Sequence, residues 1–160
     1  MTKLEQLRRK CKFTQYKLST IANIPQTRIS QYEKQISNLD NAHIDTICKF
    51  AKALGVKAWE VLNDESLSEM LRNVSRCEEL EHDPWFDGSR IKEMRKRSKM
   101  TQFELSHDMC IAQGIVSHWE RNGADTIRLG SLCFLCIYLD CHPCDLIDNK
   151  TLREKLRGVL

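Results

Sequence analysis

Residues 14–33 read TQYKLSTIANIPQTRISQYE, and residues 101–120 read TQFELSHDMCIAQGIVSHWE. At a constant offset of 87 the two agree at Thr14/Thr101, Gln15/Gln102, Leu18/Leu105, Ser19/Ser106, Ile24/Ile111, Gln26/Gln113, Ser30/Ser117 and Glu33/Glu120, with aromatics matched in kind at Tyr16/Phe103 and Tyr32/Trp119. The match extends upstream through Leu4/Ile91, Leu7/Met94 and Arg8/Arg95. Downstream, a two-residue deletion changes the offset to 85, pairing Ile44/Leu129, Ile47/Leu132, Cys48/Cys133, Leu54/Leu139, Leu71/Leu156 and Arg72/Arg157. A period this long in only two copies indicates a duplicated domain, not a solenoid. The expected organisation is a first domain over 1–72, a linker over 73–88 and a second domain over 89–160.

Composition is consistent with two small units. Among 160 residues, 41% are hydrophobic, enough for two small cores. No run of 18 or more apolar residues exists, which excludes a membrane span of that kind. The opening MTKLEQLRRKCKF lacks an apolar signal core, and eight cysteines without an export signal point to reduced thiols. The expectation is a cytoplasmic protein.

Charge is distributed unevenly. Residues 1–63 carry 11 Lys/Arg against 5 Asp/Glu, while residues 64–88 carry 2 against 8. Residues 89–148 balance at 8 against 8, and the last twelve carry 4 against 1. Concentrated positive charge is the electrostatic footprint of a phosphate-backbone binder, and here it lies on the first repeat.

Apolar spacing is helical throughout, and no segment alternates with a strand period. The spacing predicts a helix over about Lys3–Cys11 and another from Gln15, capped by Thr14, with Leu18, Ile21 and Ala22 inward. Asn23 suits a left-handed turn, and Pro25 suits the first turn of the next helix, which buries Ile29 and Tyr32. After a polar loop over Ser37–Asn41, a helix through Ile44, Ile47, Phe50, Ala51 and Leu54 ends at Gly55. A short closing helix carries Val56, Trp59, Val61 and Leu62, and a further helix, capped by Ser66, carries Leu67, Met70 and Leu71. The predicted fold is all-α, with two tandem bundles of four to five short helices.

The series Arg8, Thr14-Gln15, Leu18-Ser19, Asn23-Ile24-Pro25-Gln26, Ile29-Ser30, Tyr32-Glu33 and Leu54-Gly55-Val56 resembles the Cro/CI-type, phage-repressor-like helix-turn-helix domain. The resemblance covers nearly the whole chain in two copies, leaving residues 73–88 over. It implies a DNA-reading unit made of the second and third helices of each bundle. By that resemblance Gln26, Thr27 and Arg28 open the recognition helix, with Gln31 on the same face. Gln pairs bidentately with adenine N6/N7; Arg28 suits guanine O6/N7 or a phosphate, and the sequence does not choose between them. Gln15 resembles the family glutamine that bonds a backbone phosphate and braces the first recognition-helix glutamine. Ser30, Lys34 and Asn38 are implied as secondary contacts that position more than they specify. Arg8 and Glu33 resemble the family's internal ion pair.

The second repeat keeps the frame and changes the surface. Gln102, Gln113 and Ser117 persist, but Thr27 becomes Gly114, Arg28 becomes Ile115, Gln31 becomes His118 and Lys34 becomes Arg121. An apolar side chain at 115 suits a thymine methyl, so Gln102, Gln113, Ser117, His118 and Arg121 remain candidate DNA contacts. The competing reading is a surface for protein contact, as a homodimer interface or for a different partner.

Cys133-x2-Cys136-x4-Cys141-x2-Cys144 with His142 inside has the outward form of a zinc or redox motif. The repeat register opposes it: Cys133, Cys136 and Cys141 match Cys48, Ala51 and Val56, and cysteine commonly serves as a small buried hydrophobe. The two CxxC pairs are also closer together than zinc-ribbon knuckles usually stand. No metal, cofactor or catalytic set is expected. The five histidines are scattered without evident partners. Segment 73–88 reads as an acidic linker, with Trp85 and Phe86 docking on a domain and its negative charge keeping it off DNA.

The function expected is a sequence-specific double-stranded DNA-binding transcriptional regulator of repressor type. A tandem pair suits one chain spanning two half-sites about one helical turn apart, or a first repeat on DNA with a second that dimerises. The alternative is a helix-turn-helix protein whose main partner is another protein, such as a phage-type inhibitor or an antitoxin.

Overall fold

A computed structural model describes residues 1–124 and 126–160. Helices α1 (Lys3–Lys10), α2 (Gln15–Ala22), α3 (Gln26–Glu33), α4 (Ile44–Leu54) and α5 (Glu65–Val74) come from the first repeat. Helices α6 (Arg90–Arg97), α7 (Gln102–Asp108), α8 (Gln113–Asn122), α9 (Leu129–Leu139) and α10 (Lys150–Val159) repeat them. No strand occurs among the described residues; the fold is all-α.

Local chemistry places the boundaries in both copies alike. Thr2 and Ser89 cap the first helices, and Thr14 and Thr101 cap the second, each hydroxyl accepting a backbone N–H from the first turn. Two left-handed positions also coincide: Lys12 (φ 56°) with Lys99 (φ 55°), and Asn23 (φ 51°) with Cys110 (φ 54°). Gly55 (φ 67°) ends α4, where Asp140 (φ 48°) ends α9. Three expectations are corrected. Pro25 stands just before α3, as its cap residue, and not within the first turn. Asp64, not Ser66, caps α5, its carboxylate accepting the Leu67 N–H at 3.0 Å, because Ser66 is already the second residue of the helix. Ile21 is exposed, since α2 turns only Leu18 and Ala22 inward.

The buried side chains of both repeats form one continuous cluster, where composition alone pointed to two small cores. The cause is the placing of the fifth helices. Each packs against the closing turn of its own repeat and then against the fourth helix of the other: α5 on α9, and α10 on α4. Lys155 of α10 reaches Asp45 of α4 at 3.5 Å.

The joint between the repeats is symmetric. The Ile44 N–H donates to the Ile127 carbonyl at 3.4 Å, and the Leu129 N–H donates to the Ala42 carbonyl at 3.2 Å. Between them His43 and Arg128 form an isolated antiparallel bridge. In the downstream repeat register Ala42 corresponds to Ile127, His43 to Arg128 and Ile44 to Leu129. Each bond is therefore the image of the other, and a local two-fold axis passes between His43 and Arg128. That reciprocity defines an isologous interface, here built inside one chain.

Segment 73–88 is anchored to the second repeat by its polar atoms and by Phe86, not by Trp85. Trp85 is 90% exposed, against expectation, and Phe86 is only half-buried, beneath the Lys96 ammonium. The histidine expected to stand alone holds this segment in place. His82 Nδ1 lies 2.7 Å from Glu93 and its Nε2 3.1 Å from Asp145, so both ring nitrogens face carboxylates. An imidazolium satisfies both acceptors and a neutral ring only one. Asp145 also accepts the Leu80 N–H at 3.0 Å, and Glu93 accepts that of Asp83 at 2.9 Å.

Candidate nucleic-acid interface

The reading unit is held by one polar device, present twice. Arg8 donates to Glu33 through Nε at 2.6 Å and Nη2 at 2.9 Å, tying α1 to the end of α3. Its remaining Nη1 closes the α1–α2 turn on the Phe13 carbonyl at 2.8 Å. Arg95 repeats all three contacts, with Glu120 at 2.5 and 3.2 Å and the Met100 carbonyl at 2.7 Å. A planar guanidinium suits this task because its fork fits a carboxylate bidentately and still has a donor left for the backbone. Burial pushes both glutamate carboxyls up, but the arginine and glutamine hydrogen bonds outweigh it and hold them below the usual carboxylate range.

Gln15 donates to Glu33 at 2.8 Å, and Gln102 donates to Glu120 at 2.7 Å. The amide nitrogen expected to brace Gln26 is thus engaged by Glu33 instead, which fixes the start of α2 against the end of α3. Gln15, Gln26, Thr27 and Ser30 line one open depression between the two helices.

The remaining candidates divide by exposure. Gln26, Thr27 and Arg28 are exposed on the first turn of α3, Ser30 and Gln31 are half-buried beside them, and Lys34 is exposed at the helix end. Arg28 lies over the ring of Tyr32, 5.6 Å from its centroid, while Tyr32 packs edge-on against Phe50 at 5.9 Å. Asn38 is exposed, but its side-chain oxygen accepts the Asp40 N–H at 2.9 Å and caps a single 3-10 turn. On α8, Gln113, His118 and Arg121 are exposed and Ser117 is half-buried. His118 is linked to Asn122 along the helix, and Arg121 bonds back to the Ser117 carbonyl at 3.3 Å. Ile115 is 40% exposed in the place of Arg28. A Cβ built on Gly114 would meet nothing within 4 Å, so packing does not require glycine there.

Two residues left unassigned by the sequence flank these surfaces. Tyr16 and Phe103 are exposed at the start of α2 and α7, each next to the bracing glutamine. The signal was an aromatic at the same repeat position on the side of the helix away from Leu18 and Leu105.

The cysteine motif is interior. Cys133, Cys136, Cys141 and Cys144 are buried, and burial pushes the Cys133 and Cys144 thiols up to about 12 and the Cys136 thiol well above its ordinary value. Donor atoms of Glu79, His142 and Cys144 do lie within 4.8 Å of one another. Each is already engaged: Glu79 by Arg157, His142 Nδ1 by the Cys144 N–H at 3.1 Å, and the Cys144 thiol by the Arg153 carbonyl at 3.8 Å.

A different surface distinguishes the second repeat. Helix α9, LGSLCFLCIYL, is apolar all round, and its outward side leaves Phe134, Ile137 and Tyr138 48, 50 and 40% exposed. The corresponding residues of α4 are Lys49, Lys52 and Ala53. No helix among the described residues is long and apolar enough to cross a membrane.

Two bundles, each presenting a short polar helix braced by the helix before it, define a helix-turn-helix protein with the unit in duplicate. Residues 4–58 match a family model described as helix-turn-helix, and residues 90–151 match one described as Cro/C1-type HTH DNA-binding domain. The chain carries two tandem Cro/C1-type helix-turn-helix domains and belongs to the DNA-binding regulators built on them. No curated protein and no solved structure matches it.

Proposed function

We propose that this protein is a sequence-specific repressor of the phage or mobile-element type, which acts in the cytoplasm by occupying an operator and performs no catalysis. The observation that carries this reading is the exposed row Gln26, Thr27 and Arg28 on the first turn of α3, in the repeat with the larger excess of basic residues. Short polar side chains at the N-terminal end of such a helix read base edges in the major groove. Ser30, Gln31, Lys34 and Asn38 supply flanking contacts, Gln15 a backbone phosphate contact, and the surrounding lysines a salt-dependent affinity that carries no sequence information. Gln102, Gln113, Ser117, His118 and Arg121 act in the same way on α8.

Selection from a random duplex library is expected to enrich one defined site. Gln26→Ala/Arg28→Ala is expected to weaken binding to that site by roughly 30- to 20,000-fold, at about 1–3 kcal/mol for each lost bidentate pair. Weak, sequence-blind binding by the unaltered protein would overturn the repressor reading.

A second reading, in which the main partner is a protein or another copy of this chain, is favoured by the apolar stripe Phe134, Ile137 and Tyr138. The two separate by substitution. Gln113→Ala/His118→Ala is expected to weaken operator binding at least tenfold if α8 reads DNA, and to leave it unchanged if the second repeat serves protein contact.

A further inference from the structure

We infer that a single chain reads both halves of one operator, and that the two halves differ in sequence. This rests on the DNA-reading proposal above and extends it to stoichiometry and to the form of the site.

The joint carries the first half of the inference. Its paired bonds, Ile44 to Ile127 and Leu129 to Ala42, are images of each other about an axis between His43 and Arg128. The exchange of α5 and α10 onto α9 and α4 obeys the same axis. A two-fold rotation leaves height along its axis unchanged, so α3 and α8 stand at equal height, turned by half a revolution. A B-form duplex has dyads of the same kind normal to its own axis, and paired half-sites use them. Two separate subunits usually supply that geometry. Here the Ile44, Ile47, Leu129, Leu132, Leu71 and Leu156 side chains, all fully buried in one cluster, supply it within one chain.

Departure from symmetry at the readers carries the second half. The scaffold bonds Arg8–Glu33–Gln15 and Arg95–Glu120–Gln102 are the same, so the two recognition helices are presented alike. Gln26 and Gln113 are shared, and both suit adenine. At the third position Arg28 offers two donors to guanine, whereas Ile115 offers only an apolar surface, which suits a thymine methyl. Gln31 and His118 diverge further on. A homodimer has identical readers and therefore a palindromic site; this chain has unlike readers on a symmetric frame. Its site is an imperfect palindrome that keeps an adenine in each half and differs at the neighbouring base.

The test has two parts. The first is the duplex selected by the unaltered protein and the mass of its complex by native mass spectrometry. The expected result is one chain per duplex on a site with two unlike halves about one helical turn apart. Two chains per duplex, or defined bases in one half only, would overturn the inference and leave sequence-specific binding standing. Absence of any selected site would remove the DNA-reading proposal and this inference with it. The second part is Gly114→Thr/Ile115→Arg/His118→Gln, which gives α8 the α3 readers at exposed positions, so its melting temperature should stay close to that of the parent. It is expected to select a true palindrome of the first half-site and to prefer that over the parental site by roughly 10- to 100-fold. An unchanged preference in a folded variant would overturn the assignment of unlike halves to these residues.

Discussion

Arg95→Met is expected to lower the stability of the chain by roughly 3–5 kcal/mol, the penalty of leaving a buried charge without its partner. The Arg95 and Glu120 side chains are only 10 and 4% exposed, so solvent cannot replace the lost contact. The Met100 carbonyl loses its donor in the same step. For a chain of this size the loss corresponds to a fall of about 10 °C in Tm. Its pH dependence identifies the cause. In the parent, Glu120 is held below its ordinary range, so its contribution is complete above the unfolded carboxylate value and is lost as pH falls through the folded one. In the variant the same carboxyl is buried without a cation, its folded pKa rises above the unfolded value, and the sign reverses. The difference between parent and variant is therefore largest at neutral pH and narrows as pH falls into the acid range. Urea melts at pH 7.5 and 5 measure both quantities. A loss below 1 kcal/mol, or one independent of pH, would mean that packing and not charge holds this corner. Met is chosen because it keeps most of the aliphatic volume while removing the charge.

Leu156→Ala is expected to cost about 2–5 kcal/mol, the usual range for emptying a fully buried leucine site. Its location matters more than its size. Leu156 lies on α10, which packs on α4 of the first repeat. Amide exchange is therefore expected to quicken across Ile44–Leu54, more than a hundred residues away in sequence, as well as around Pro143–Asp145. Leu71→Ala is the image of this change on α5, and it should loosen Leu129–Leu139 in the second repeat. If either substitution left the fourth helix of the other repeat fully protected, the fifth helices would be serving their own bundles and the shared core would carry little stability.

The readability of each feature from sequence follows from the range of the interaction behind it. Caps and left-handed turns depend on a residue and its next few neighbours, which is why Thr14, Asn23 and Gly55 stand where their chemistry suggested. Ser66 misled because it and Asp64 are both competent caps and the helix starts at the earlier one. Ile21 misled for a different reason: apolar spacing locates a stripe but not its width, and α2 is a narrow helix with most of its surface outside. For the DNA-facing surface, the repeat register located the residues that hold the reading unit, since Arg8, Gln15 and Glu33 recur together as Arg95, Gln102 and Glu120. It did not show that Gln15 is held by Glu33 and not by Gln26, because two acceptors within reach of one amide differ only by side-chain geometry.

The sequence by itself determined the duplication, the helical class, most of the turn and cap positions and the divergence of the α8 readers, all of which depend on residue type and short spacing. Only the tertiary structure decided how the copies meet. The exchange of fifth helices, the paired bonds about His43 and Arg128 and the hold of His82 on Glu93 and Asp145 join residues far apart in the chain. An amphipathic helix such as α5 or α10 specifies that it must bury one face but not which neighbour covers it. That choice depends on the shape left by all the other helices together, and no local pattern of residues encodes it.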